Sequence, residues 1–197
     1  MDGPGRRPVS VVLHMSVSLD GYVEGPGHDI GWHQVDAELH QYINDVLRTS
    51  GAFLSGRVTH ELMAQFWPTA DSDPASPPQY VEFAGIWRDM PKVVYSRTLQ
   101  EADWNTRVVR EVVAEEVRAL DAETGGDLIV SGAHLVAEFF RQDLVDEFRL
   151  YLNPIVLGEG TPLFTVLPNR RPLRLIEART FGNGVVLLHH ARDRSPD

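Results

Sequence analysis

The chain alternates between two hydrophobic periods. Val9 to Leu19 (VSVVLHMSVSL) is rich in β-branched residues and ends at Asp20-Gly21, which predicts a strand running into a turn. A polar, glycine-rich loop follows from Glu24 to Gly31. Behind Asp36, the apolar residues Leu39, Ile43, Val46 and Leu47 recur at helical spacing, so Asp36 reads as an N-cap. Ala52-Phe53-Leu54 is a short buried strand entering Ser55-Gly56. Thr59 to Phe66 reads as a helix closed by Trp67-Pro68.

Residues 68–78 (PTADSDPASPP) form the most loop-like stretch, and a surface loop fits better than a linker because either half alone buries too small a core. Pro91 opens a strand over Lys92 to Tyr95. Val112 to Leu120 is helical and stops at Thr124-Gly125-Gly126. Leu128-Ile129-Val130 is another buried strand, with Leu135 to Phe140 on the helix after it. Val145 to Leu152 is a strand, followed by a loop from Pro154 to Pro162. Leu173 to Phe181 and Val185 to His190 flank Gly182-Asn183-Gly184, a hairpin signal. Strands alternate with helices before the chain finishes in strands. That order predicts a three-layer α/β fold with a mostly parallel central sheet and a C-terminal antiparallel hairpin.

Length and composition narrow the picture. The 197 residues suit one domain, read here as 9–191, with 1–8 a loose N-terminus and 192–197 a tail. Lys and Arg total 18 against 28 Asp and Glu, a net charge of −10, which disfavours a nucleic-acid partner bound by phosphate neutralisation. The absence of cysteine excludes disulfides, thiolate nucleophiles and Cys-ligated zinc, and fits a cytoplasmic location. No signal peptide or membrane span is read. The eight histidines contain no H-E-x-x-H pair, so no metal site is expected.

Two segments share a strand–turn–helix logic: Phe53-Leu54-Ser55-Gly56-Arg57-Val58-Thr59 and Ile129-Val130-Ser131-Gly132-Ala133-His134-Leu135. Glycine admits close approach to the backbone, and the free N–H groups and dipole of a helix start favour phosphate. Neither segment matches G-x-G-x-x-G or the P-loop, and a glycine at such a junction serves ordinary turn chemistry as well. Tyr95-Ser96-Arg97 closes the third strand, where an Arg and a Ser suit a monoester phosphate; Arg97 reads equally as a solvated surface residue.

The segments MSVSLDGYVEG (15–25), LSGRVTHE (54–61), KVVYSRTL (92–99), DLIVSGAHLVAEFF (127–140) and YLNPIVLGEGTPLF (151–164) resemble the dihydrofolate-reductase-like superfamily. They are most similar to the reductase domain of the bifunctional riboflavin-biosynthesis deaminase–reductase. The resemblance spans roughly residues 9–191 and implies an NADPH-dependent reductase of a small pyrimidine- or pterin-like heterocycle. It implies that Gly56, Arg57 and Thr59 bind cofactor phosphates, that Ser96 and Arg97 face the 2′-phosphate, and that Ser131, Gly132, Ala133, His134 and Leu135 embrace the pyrophosphate. Asp20 and Gly21 would begin the loop over the nicotinamide. Many relatives carry Gly-Gly at the last corner, where this chain has Ser131-Gly132 followed by Ala133.

The substrate side is less sharply written. Dihydrofolate reductases use a helix-borne carboxylate, and the corresponding stretch here offers Asp36, which also suits an N-cap, and Glu38. Water is a third source of the proton. Trp32 is the residue expected near a flat ring, and Glu159 and Thr161 are the polar groups of the substrate-side loop. The cysteine-dependent zinc set of the deaminase partner is absent, so the expectation is a free-standing reductase domain, with a homodimer through the apolar hairpin. Two alternatives stay open: a nucleotide- or flavin-binding protein without turnover, and dihydrofolate-reductase-type activity.

Overall fold

The computed structural model describes residues 10–165 and 170–193. Its elements are β1 (Val11–Ser18), β2 (Tyr22–Glu24), α1 (Ala37–Leu47), β3 (Ala52–Gly56), α2 (Arg57–Phe66), α3 (Pro78–Asp89), β4 (Lys92–Tyr95) and β5 (Thr106–Val109). They continue with α4 (Ala114–Thr124), β6 (Leu128–Ser131), α5 (Ala133–Arg141), β7 (Glu147–Asn153), β8 (Thr161–Pro162), β9 (Leu173–Thr180) and β10 (Val186–Arg192). The anticipated α/β fold is present. An eight-stranded sheet runs in the order β5-β4-β3-β6-β1-β7-β10-β9. From β5 to β7 neighbours are parallel, and β10 and β9 add the antiparallel hairpin.

Residues alternate across the sheet and meet a helical layer on each face. Val11, Leu13, Leu54, Leu128 and Val130 pack with Val117 and Leu120 of α4 and with Val136, Phe139 and Phe140 of α5. Val12, Phe53 and Ile129 point the other way, onto Leu47 of α1, Met63 and Ala64 of α2, and Phe83 and Trp87 of α3. Each such side chain taken from water contributes roughly 1.5–3 kcal/mol, so both layers are fixed against the strands. A third cluster, Leu39, Tyr151, Phe181, Val185 and Leu187, seats α1 on the hairpin side.

Some elements depart from the sequence reading. Helix α2 starts at Arg57 rather than Thr59, directly behind Gly56. The expected helix at 112–120 runs as α4 to Thr124, where Gly125 (φ +74°) ends it. Residues 79–89 and 106–109, unassigned from sequence, hold the edge strand β5 and all of α3 but its first residue, Pro78, which was read as the end of the loop. The two loops at 24–31 and 154–162 pair through β2 and β8, because the backbones of Tyr22 and Glu24 meet Pro162 and Thr161. Strand β10 includes Arg192, which the sequence reading placed in the tail. The loose N-terminus at 1–8 lies outside the described residues.

Candidate functional site

The parallel strands deliver their carboxyl ends to one edge of the sheet. There β3 and β6 lie side by side with Ser55 level with Ser131, and Tyr95 of β4 level with Gly56. Each of the two central strands passes through one glycine into a helix. Gly56 precedes α2 and Gly132 precedes α5, and neither helix start has a side-chain cap. Two uncapped helix N-termini therefore open next to each other, α2 belonging to one face of the sheet and α5 to the other. Their amide N–H groups and dipoles suit an anionic ligand lying along this edge.

The two corners touch. Gly132 adopts φ +92°, a region that disfavours side chains, and a Cβ placed on it would lie 2.7 Å from Thr59 Oγ1. Its N–H points at Met15 Sδ on β1, 3.3 Å away. Gly56 has open space where a Cβ would project. Among the flanking residues, Arg57 is exposed and pairs with Glu61 at 2.6 Å. His134 is exposed, whereas Leu135 is buried in the core and can offer only its backbone to a ligand.

The Ser96 hydroxyl, buried at the end of β4, accepts from the Leu99 and Thr98 amides at 2.9 and 3.3 Å. It thereby shapes the turn that carries Arg97, which is exposed beside Glu138 of α5. Gly56, Arg57, Thr59, Ser96, Arg97 and residues 131–135 thus occupy the ends of three adjacent strands.

A second group gathers at the ends of β1 and β7. Asp20 accepts from Ser18 Oγ (2.6 Å), Gly158 N (2.8 Å) and Leu157 N (3.1 Å). Those bonds, led by the Ser18 hydroxyl, pull its carboxyl down to about 2. Gly21 turns the chain at φ +87°, and its carbonyl accepts from Leu163 N. Thr161 Oγ1 donates to Glu24 at 2.7 Å, and a Cβ on Gly160 would sit 2.1 Å from the Glu24 carbonyl oxygen. The 18–25 and 157–163 segments are therefore stapled together. Glu159 stands exposed at their rim.

Trp32 Nε1 donates to the Asp29 carbonyl, and its ring meets His33 edge-on at 4.3 Å. Asp36 caps α1 by accepting from Leu39 N at 2.9 Å. Glu38 accepts from Gly182 N at 3.1 Å and from Arg179 at 3.2 Å. Both carboxylates thus hold local structure at the α1 start and the hairpin turn.

Four groups here have roles that the sequence reading did not give them, Asn153 having been read only as part of the substrate-side loop. Asn153, 2% exposed, accepts from Gln34 N and donates to Tyr151 O, locking the approach to α1 onto β7. Ser18 holds Asp20, and Met15 Sδ faces Gly132. His33 buries Nε2 without a hydrogen bond, and burial lowers its pKa. Among the described residues, no three His, Asp or Glu side chains cluster as metal ligands.

Comparison with known proteins agrees with this architecture. Residues 9–187 match the model of the RibD C-terminal domain family. The Bacillus subtilis (strain 168) protein YyaP, uncharacterised, is 34% identical over 182 residues, covering 91% of this chain and 94% of its own length. A protein assigned to riboflavin biosynthesis from Shewanella sp. PV-4 superposes with a TM-score of 0.73 at 20% identity, over 94% of this chain and all of that one. A Thermotoga maritima diaminohydroxyphosphoribosylaminopyrimidine deaminase/5-amino-6-(5-phosphoribosylamino)uracil reductase superposes at 0.66 with 15% identity. That match takes in 94% of this chain but 57% of the bifunctional one.

Proposed function

The chain belongs to the RibD C-terminal domain family, and from that premise we propose that it is an NADPH-dependent oxidoreductase reducing a small pyrimidine- or pterin-like heterocycle. The activity would resemble that of a 5-amino-6-(5-phosphoribosylamino)uracil reductase. The observation carrying this reading is the contact between Gly132 and Thr59, which joins two uncapped helix starts into one cradle. The open space at Gly56 fits a backbone-hugging dinucleotide, and the missing side chain at Gly132 lets Thr59 of the other corner close in beside it.

NADPH, when bound, supplies the hydride. In this reading Gly56, Arg57 and Thr59 hold its phosphates together with the backbone of Ser131 to Leu135. Ser96 and Arg97 face the 2′-phosphate, where a guanidinium selects a monoester over a hydroxyl. Asp20 and Gly21 set the loop on the nicotinamide side, and Thr161 supports it through Glu24. Trp32 and Glu159 belong to the substrate side. Glu38 and Asp36 remain the proposed proton sources, alongside water.

The test is fluorescence titration of NADPH and NADH against the protein, Arg57→Ala and Arg97→Ala. Tighter NADPH binding, weakened about tenfold by Arg97→Ala, is expected, that factor corresponding to ~1.4 kcal/mol. Equal affinity for both cofactors, unmoved by either substitution, overturns the reading. Turnover is then followed as NADPH oxidation against pyrimidine and pterin acceptors.

A second reading, nucleotide or flavin binding without turnover, is favoured by the engagement of both Asp36 and Glu38 in structural hydrogen bonds. A yellow preparation, or tight cofactor binding with no oxidation, distinguishes it. We further propose a cytoplasmic homodimer. Strand β9 is an edge strand exposing Leu173, Leu175 and Ile176, surface that a second copy would cover. Among the described residues no helix is long and apolar enough to cross a membrane. Light scattering reads the assembly mass.

A further inference from the structure

Apart from the corners, a pocket of about 290 Å³ opens between α2 and the segment joining β4 to β5. Its polar lining is His60, Glu61, Gln65, Glu101 and Asp103, with the Trp104 indole as an aromatic wall. Among the described residues no lysine or arginine lines it. Two cations of the neighbourhood are committed: Arg57 to Glu61, and Lys92 Nζ to the carbonyls of Met90 (2.8 Å) and Trp104 (2.7 Å). Lys92 keeps its charge in those bonds to neutral carbonyls, but Glu101 and Asp103 together outnumber it and make the pocket net acidic.

His60 distinguishes the pocket from an ordinary acidic patch. Only 6% exposed, its ring stacks on Trp87 with centroids 5.9 Å apart, and it makes no hydrogen bond among the described residues. Burial holds the imidazole below its ordinary range, so it is neutral at pH 7 with one nitrogen free to accept. Its nitrogens are not wholly closed off from solvent, so their hydrogen bonds come from water or from a ligand in the pocket that His60 lines. Trp104 is 41% exposed, and Lys92 fixes its carbonyl from behind.

We propose that this pocket binds a small, flat organic cation. Its charge is met by Glu101 and Asp103, its ring by Trp104, and one of its N–H groups by His60. A cation stacked on the indole beside the two carboxylates draws on both attractions at once. The volume sits at the bottom of the range for small-molecule sites, roughly 300–1,000 Å³, so the occupant is a single ring with a charged substituent. The site is independent of the cofactor reading, since none of the residues proposed to hold NADPH lines it.

Calorimetric titration with benzamidinium and its neutral isostere benzamide tests the proposal. Benzamidinium is expected to bind at least tenfold more tightly than benzamide. The Glu101→Gln/Asp103→Asn double variant and Trp104→Leu should each lose about tenfold. Glu115→Gln/Glu116→Gln, which removes the same charge from α4, should lose nothing. No benzamidinium binding, equal binding of benzamide, or an equal loss in the α4 variant each overturns the proposal. The double variant changes only exposed loop side chains, so it decides the matter even if Trp104→Leu misfolds.

Discussion

Gly132 lies against Thr59 so closely that a single added carbon would stand 2.7 Å from the threonine hydroxyl, and the absence of that carbon lets the starts of α2 and α5 approach each other. Gly132→Ala therefore meets two penalties, a left-handed backbone at φ +92° and a steric overlap. A loss of about 1–3 kcal/mol is expected, or roughly 2–12 °C in melting temperature for a chain of this size. Thr59→Ala in the same background should recover the steric part and leave the backbone part. Thermal melts of the two single variants and the double variant measure the coupling. An unchanged melting temperature for Gly132→Ala contradicts the contact.

Asp20 ties two loops through charge. Its carboxyl is held at about 2 by the Ser18 hydroxyl and then by the Gly158 and Leu157 amides, against about 3.9 for an unfolded aspartate. A depressed acid stabilises the fold above its unfolded pKa, and that contribution is lost as pH falls through the folded value. The loop at 157–158 should accordingly loosen between about pH 4 and pH 2, and not between pH 7 and pH 5. Amide shifts of Leu157 and Gly158, followed by NMR against pH, report it. Asp20→Ala should show the loosened shifts already at neutral pH.

Buried Lys92 also has a lowered pKa, but here the fold disfavours the charged form instead of favouring it. Its ammonium is 3% exposed over the Trp87 ring, and burial pushes its pKa down to about 8 from an ordinary value near 10.4. Between those values the unfolded chain holds a proton that the folded chain has released, so this residue's contribution to stability rises with pH across that window. Urea denaturation from pH 7.5 to 10.5 should show a rising component in the parent protein that is missing in Lys92→Met. The variant should also be less stable at pH 7, because the Met90 and Trp104 carbonyls lose their donor.

These relationships differ in how much of them is written locally. The alternation of apolar and polar residues and the glycines at 56, 125, 132 and 184 predict the strands, the helix stop and the hairpin, because each depends on neighbours in sequence. Helix α3 was readable as well: Tyr80, Phe83, Ala84 and Trp87 fall at helical spacing behind Pro78, but the proline-rich stretch before it masks the start. Strand β5 is a half-buried edge of four residues and leaves no apolar run to detect. The corners carry a local signal, yet their contact does not, since only the side-by-side placement of β3 and β6 creates it. Likewise Asp20 reads as a turn residue, while its partners lie 137 and 138 positions away. The N-cap role of Asp36 was local and legible; the Glu38 bond to Gly182 spans 144 positions and was not.

That difference separates the two carboxylates experimentally. Asp36→Asn keeps an oxygen for the Leu39 amide and should leave stability within a few tenths of a kcal/mol, whereas Asp36→Ala should cost about 1 kcal/mol as a lost cap. Glu38→Gln likewise keeps an acceptor for Gly182 N but removes the charge facing Arg179 and any acid function. This ion pair is about half exposed, so its loss costs little stability. If Glu38 delivers the proton, Glu38→Gln lowers kcat by about 10²–10⁴ and removes one limb of the pH–rate profile, with the melting temperature nearly unchanged. Asp36→Asn gives the same signature if Asp36 is the donor. If neither substitution moves the profile, the proton comes from water and both carboxylates serve only to position α1 and the hairpin.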